Sequence, residues 1–268
     1  MTLRHPARRL TALGGAAALA LTLVSTASPR PALADHAGSA PGPVNAQTTF
    51  NWGTPQWQDD FVGPTKRIWR TAGHGNVQNQ HGMLTLNTST SGSTSATLER
   101  AGHATGRWEI RLRSRRYSTG AANYKVVTEL IPAADRRQHC GARNVSLEKY
   151  RLGSRRANFY IRNLPDRQFS AHTRLNLRND RWHTFAVEVT RKRISWFVDA
   201  HVLVSERRPA ALSGVPFTVR FTMKARPGAR MNQSRMQMDW LRYFTLDRPN
   251  ARSVSAPRAH RGTYAKAC

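Results

Sequence analysis

The chain has 268 residues, enough for one large domain with a proper core or two ordinary ones, and it carries a formal charge of +27. Only six lysines stand among 42 basic residues, so the charge is almost all arginine. Such a field favours anionic partners such as acidic polysaccharide or nucleic acid, and two cysteines exclude a disulfide-rich scaffold or a cysteine zinc site.

Residues 1–34 read as a signal peptide. Arg4, Arg8 and Arg9 form a basic head, Leu10 to Val24 an apolar run, and Ala32-Leu33-Ala34 a small-x-small cleavage site. The expectation is a secreted, extracellular protein, associated with a cell wall through its charge, and Arg8-Arg9 is compatible with a twin-arginine route. The apolar run is short for a bilayer, and no later stretch approaches the roughly 20 apolar residues a spanning helix needs. Residues 35–49, rich in Ala, Gly, Pro, Ser and Gln, read as a flexible linker.

From Phe50 the apolar residues recur with period two. Strands are predicted at Met83–Leu86, Gly106–Arg113, Tyr124–Ile131, Arg143–Tyr150, Asn158–Arg162, Trp182–Thr190, Ile194–Val198, Val202–Ser205, Phe217–Met223 and Met236–Phe244, punctuated by Gly, Asn, Asp and Pro. This is an all-β domain over residues 50–247, most simply two antiparallel sheets face to face. Residues 248–268 hold Arg248, Arg252, Arg258, Arg261 and Lys266 and no acid, and read as a basic tail, disordered until it meets an anion unless Cys268 ties it down. In an oxidising compartment Cys268 and Cys140 are a candidate disulfide.

Within Arg143–Tyr150 strict alternation places Val145 and Leu147 on a core face and Asn144, Ser146, Glu148 and Tyr150 on the other. That second face is a polar row with one carboxylate.

The order of these features resembles glycoside hydrolase family 16, the laminarinase and β-glucanase group with a concanavalin A-like jelly roll. Trp57-Gln58-Asp59-Asp60-Phe61-Val62-Gly63 is similar to its opening W-x-D-E-F-x-G, and Gly106-Arg107-Trp108-Glu109-Ile110-Arg111 to G-x-F/W-E-A-R. Trp182-His183-Thr184-Phe185-Ala186-Val187-Glu188 resembles F-H-x-Y-A-x-E-W, Trp196-Phe197-Val198-Asp199 the W-Y-V-D-G strand, and Met238-Asp239-Trp240-Leu241-Arg242-Tyr243 the closing V-D-W-V-R-V. The family's catalytic strand is Glu-x-Asp-x-Glu, sometimes with an extra residue before the last Glu. In the unbulged register the nucleophile position falls on Asn144, the helper on Ser146 and the acid/base on Glu148. The bulged register ending on Glu148 starts at Arg143 and puts Val145 in the cleft.

An amide forms no glycosyl ester, so the resemblance implies a polysaccharide-binding pseudoenzyme for β-glucan or an acidic glycan, with Trp108, Tyr150, His183 and Arg143 as substrate contacts. The alternative is an active glycosidase using Glu148 with a relocated carboxylate, Glu129, which stands where a cleft tryptophan is usual; its competing role is a salt bridge to a nearby arginine. A third reading is a basic polyanion-associated protein with a vestigial cleft. No cofactor is expected beyond a structural calcium at Asp239.

Overall fold

The computed structural model describes residues 44–178 and 180–265. The leader, most of the linker and the Cys140–Cys268 pairing therefore lie outside the described residues. The elements are a short helix α1 (Ala46–Phe50) and strands β1 (Trp57–Asp59), β2 (Trp69–Gly73), β3 (Asn76–Gln80), β4 (Met83–Asn87), β5 (Thr94–Leu98), β6 (Gly106–Arg116), β7 (Lys125–Pro132), β8 (Val145–Arg151), β9 (Arg156–Asn163), β10 (Arg167–Arg174), β11 (His183–Val189), β12 (Ile194–Val198), β13 (His201–Glu206), β14 (Phe217–Lys224), β15 (Ser234–Phe244) and β16 (His260–Thr263).

Two antiparallel sheets form a sandwich, as the alternation predicts. The first runs β13-β12-β11-β6-β15-β4-β3 with β1 beside β15, and the second β16-β10-β9-β8-β7-β14-β5-β2. Period two sets the faces. In β6, Trp108, Ile110 and Leu112 enter the core, while in β14 Phe217, Val219, Phe221 and Met223 do so from the other sheet. The opening Trp57–Gly63 motif is a structural corner. Buried Asp59 accepts from Phe61 N at 3.1 Å, Trp69 Nε1 at 2.9 Å and Lys66 Nζ at 2.7 Å, which holds Phe61 in a left-handed conformation (φ 55°) with its ring tilted against that of Trp69 at 5.7 Å.

The linker and tail expectations are corrected where the residues are described. Asn45 caps α1 by accepting from Thr48 N at 2.8 Å, and α1 lies on the outer face of the first sheet. There Ala46, Phe50 and Trp52 pack with Ala186, Phe197, Phe244 and Val254 into a second, smaller core. Trp52 meets Phe197 and Phe244 edge-on at 5.4 and 5.5 Å, contacts that each contribute about 0.5–1.5 kcal/mol beyond burial. The basic tail is likewise docked. Ala251 N donates to Phe50 O, Asn250 bridges Trp52 Nε1 and Glu188, and β16 adds an edge strand to β10. Apolar anchors spaced among the arginines, Val254, Ala259 and Tyr264, are what the charge count concealed.

Glu109 lies beneath α1 on the same face, accepting from Ala46 N and Gln47 N. Burial raises its pKa to about 7 against the lowering effect of those donors. Among the described residues no helix is long and apolar enough to cross a membrane.

Candidate functional site

The outer face of the second sheet is where the polar row of β8 was expected, and the register there differs from strict alternation. Pairing with β7 runs Arg151–Lys125, Tyr150–Val126, Lys149–Val127 and Glu148–Thr128, then jumps to Ser146–Glu129 and Val145–Leu130. Leu147 is the extra residue of a β-bulge. Past it the faces exchange. Ser146 still points outward, but Glu148 turns inward and Lys149 takes the outward position.

Glu148 is thus corrected from cleft acid to interior carboxyl. It is wholly buried, as is Thr128 opposite, and neither of its oxygens has a well-formed hydrogen bond. Burial pushes its pKa well up; Thr128 offsets little of this and the charge of Glu129 adds to it. The cations beside it in sequence, Lys149 and Arg151, stand on the other face of the strand. Tyr150 follows Glu148 inward: it is a core residue whose hydroxyl pairs with Ser114 Oγ at 2.8 Å. Trp108 is also a core side chain, 5.1 Å from Tyr243 and edge-on to Phe217, so neither aromatic offers a ring to a sugar. His183 is held at both nitrogens, by Asp199 Oδ2 at 2.8 Å and the Asn176 carbonyl at 2.9 Å, which makes it a structural tie. Arg143 occupies the left-handed turn leading into β8 (φ 53°). Asp239 pairs with Arg111 on the first sheet, and among the described residues no group of three acids, histidines or cysteines gathers to hold a metal, so the residues do not fit the calcium expected there.

What the outer face does assemble is a cavity of about 280 Å³ lined by Ser95, Val127, Glu129, Lys149, Tyr160, Arg162, Arg220, Thr222 and Lys224, with His139–Gly141 on its rim. Glu129 is the one carboxylate lining it among the described residues. Its Oε1 accepts from Asn144 Nδ2 at 3.0 Å and from the Tyr160 hydroxyl, and its Oε2 pairs with Arg220 at 2.9 Å. Burial alone would raise its pKa; the Arg220 charge and the bonds from Tyr160 and Asn144 outweigh that and hold it below the usual carboxylate range. The salt-bridge role weighed for Glu129 is therefore the one it fills. Ser146 is spent as well, donating to Tyr160 O at 3.4 Å and accepting from Tyr160 N at 2.7 Å.

Of the cations lining the cavity, Arg220 is held by Glu129, whereas among the described residues Lys149, Arg162 and Lys224 are in no ion pair. Burial, then the charges of Arg162, Lys125 and Lys224, lower the Lys149 pKa, opposed by Glu129. Lys149 Nζ and the Arg162 guanidinium stand 5.5 and 4.6 Å from the centre of the Tyr160 ring. Lys149, Arg162, Arg220 and Tyr160 were not singled out from the sequence. The extra-residue form of the motif, begun at Asn144 rather than ended at Glu148, reaches Lys149, and that was the available signal.

The geometry is that of a two-sheet antiparallel sandwich whose second sheet carries a polar, cation-lined cavity on its outer face. No family model matches the sequence, and no curated protein does. Solved structures do match. One comes from work on endo-acting O-glycanases that prominent members of the human gut microbiota express to initiate mucin breakdown; it is 15% identical, covering 72% of this chain and 100% of that one at a TM-score of 0.59. The laminarinase from Rhodothermus marinus is 14% identical over 71% of this chain and 96% of its own, TM-score 0.58. SCLam, a non-specific endo-β-1,3(4)-glucanase from family 16, is 13% identical over 72% and 94%, TM-score 0.55. The fold is that of the family 16 laminarinases and endo-glucanases.

Proposed function

We propose that the protein is a secreted, non-hydrolytic polysaccharide-binding protein that uses the outer face of its second sheet. The observation that carries this reading is the outward row Asn144, Ser146, Lys149, in which an amide, a hydroxyl and an ammonium stand where the resemblance calls for three carboxylates. Retaining hydrolysis needs two carboxyl groups about 5–5.5 Å apart and inverting hydrolysis two about 6.5–9.5 Å apart. This cavity has Glu129 alone, ionised and bound to Arg220. A carboxylate held that way is a poor proton donor and a poor nucleophile. The cavity keeps what binding requires: Ser95 and Thr222 hydroxyls, fixed donors and a shaped wall. The leader-like residues 1–34 support export.

The test is reducing-end release from laminarin, lichenan, agarose and carrageenan, alongside retention of the protein on each. Retention of at least one without any release is expected. Release that disappears in Glu129→Gln would overturn the reading and restore an enzyme.

A further inference from the structure

Parity and register place a row of cations straight across the second sheet. Arg174 of β10 pairs directly with Arg156 of β9. The β8–β9 register that sets Lys149 against Asn158 brings Arg151 opposite Arg156 when continued by two residues. Arg151 pairs with Lys125 of β7, and Lys125 with Lys224 of β14. All five share the outer face, since their sequence neighbours Tyr150, Val126 and Met223 and the alternate residues Phe159 and Phe169 are core. All five are exposed, and among the described residues none is in an ion pair.

Adjacent strands are about 4.8 Å apart, so five cations in successive strands span roughly 19 Å. Like charges directly opposite one another destabilise a sheet. A surface placed at random by an arginine-rich composition would be expected to break such a row with an acid or a neutral residue. Instead the row opens at one end onto a cavity of about 880 Å³ lined by Arg156, His172 and Arg174, and at the other onto the site already described through Lys224. Lys149, one step inside the row on the same face, feels the charges of Lys125 and Lys224, which help to lower its pKa.

We infer that this basic row is a binding track for a linear acidic polysaccharide, a chain bearing carboxylate or sulfate groups, laid across the strands and continuing into the cavity of Glu129 and Lys149. The inference rests on the polysaccharide-binding reading and names its ligand class. A glycan fits better than nucleic acid for two reasons. Binding of single strands relies on aromatic platforms for bases, and the exposed large apolar side chains, Val44, Val62 and Tyr117, lie outside these strands. The adjoining cavity also presents the Ser95 and Thr222 hydroxyls, which match the hydroxyls of a sugar ring rather than the flat faces of bases.

The probe is polygalacturonate, with neutral laminarin and duplex DNA alongside, measured from low to high salt. The variant Lys125→Ser/Arg151→Ser/Lys224→Ser is compared with Arg67→Ser/Arg191→Ser/Arg252→Ser, which removes the same charge from exposed positions elsewhere. The row variant should lose about tenfold in polygalacturonate affinity, with a shallower salt dependence, while the control changes less than about twofold. Without ligand the row variant should be at least as stable as the parent at low salt, because repulsion is relieved. Equal losses in both variants would overturn the inference, as would DNA binding that is tighter and equally dependent on the row. Laminarin binding without polygalacturonate binding defeats the track alone, whereas reducing-end release defeats the non-hydrolytic reading and leaves the track standing.

Discussion

Glu129→Ala should lower the folding free energy by about 3–5 kcal/mol, the cost of removing one partner from a buried ion pair. The substitution strands the Tyr160 hydroxyl, the Asn144 amide and the Arg220 guanidinium together, all of which converge on Glu129. Arg220 keeps a bond to the His139 carbonyl at 2.9 Å, so its charge is only partly compensated. Glu129→Gln keeps acceptor and volume and loses the charge, and it should fall between Ala and the parent. The carboxylate's lowered pKa gives the sign in acid. The unfolded chain takes up this proton near 4.5 and the folded protein only at lower pH, so the stabilisation is present above 4.5 and is lost as pH falls through the folded value. Urea midpoints at pH 7 and pH 3 measure both effects. A parent and Glu129→Ala pair with equal midpoints at pH 7 would show that Glu129 is not the organising charge of the cavity.

That charge was legible in the sequence only as an alternative, and the reason lies in β8. Strict alternation predicts the inward residues Val145 and Leu147 correctly, and the extra residue at Leu147 reverses every assignment that follows. Glu148 and Tyr150, read as cleft residues, are core, and Lys149, unread, is in the cleft. The sheet framework was readable because long strands such as β6, β11, β14 and β15 alternate over many residues. The strands β2, β5, β10 and β16 were not, since β10 offers only Phe169 and Ala171 to the core and β16 offers no large apolar residue. Their positions are fixed by partners, as when Arg208 reaches both Glu206 and the Ala259 carbonyl to seat the chain before β16. The roles of Glu109 and Glu188 likewise depend on segments distant in sequence folding back over the first sheet.

The buried carboxyls of Glu109 and Glu148, both raised by burial, make stability fall as pH rises above 4.5, opposite in sign to Glu129. The Glu109 carboxyl ionises near 4.5 in the unfolded chain and at about 7 in the folded protein. Its contribution is complete below 4.5 and lost as pH climbs through about 7, a change of about 3 kcal/mol at 1.36 kcal/mol per pKa unit. Glu148 acts in the same direction. His103 and His139, whose pKa values burial lowers, oppose this near pH 6.5, but both are only partly buried. Single variants therefore isolate each acid. Glu109→Gln retains an acceptor for Ala46 N and should narrow the difference in unfolding free energy between pH 4.5 and pH 8 by about 3 kcal/mol. Glu148→Met replaces an unsatisfied carboxyl with an apolar side chain of similar length in a site walled by Thr128 and the core, and should stabilise the protein at pH 7 by about 1–3 kcal/mol. If Glu148 instead faced the cleft as a working acid, the same substitution would leave stability unchanged and abolish whatever polysaccharide cleavage the protein performs. The two placements of one side chain, on either face of a single bulged strand, thus predict opposite pairs of results.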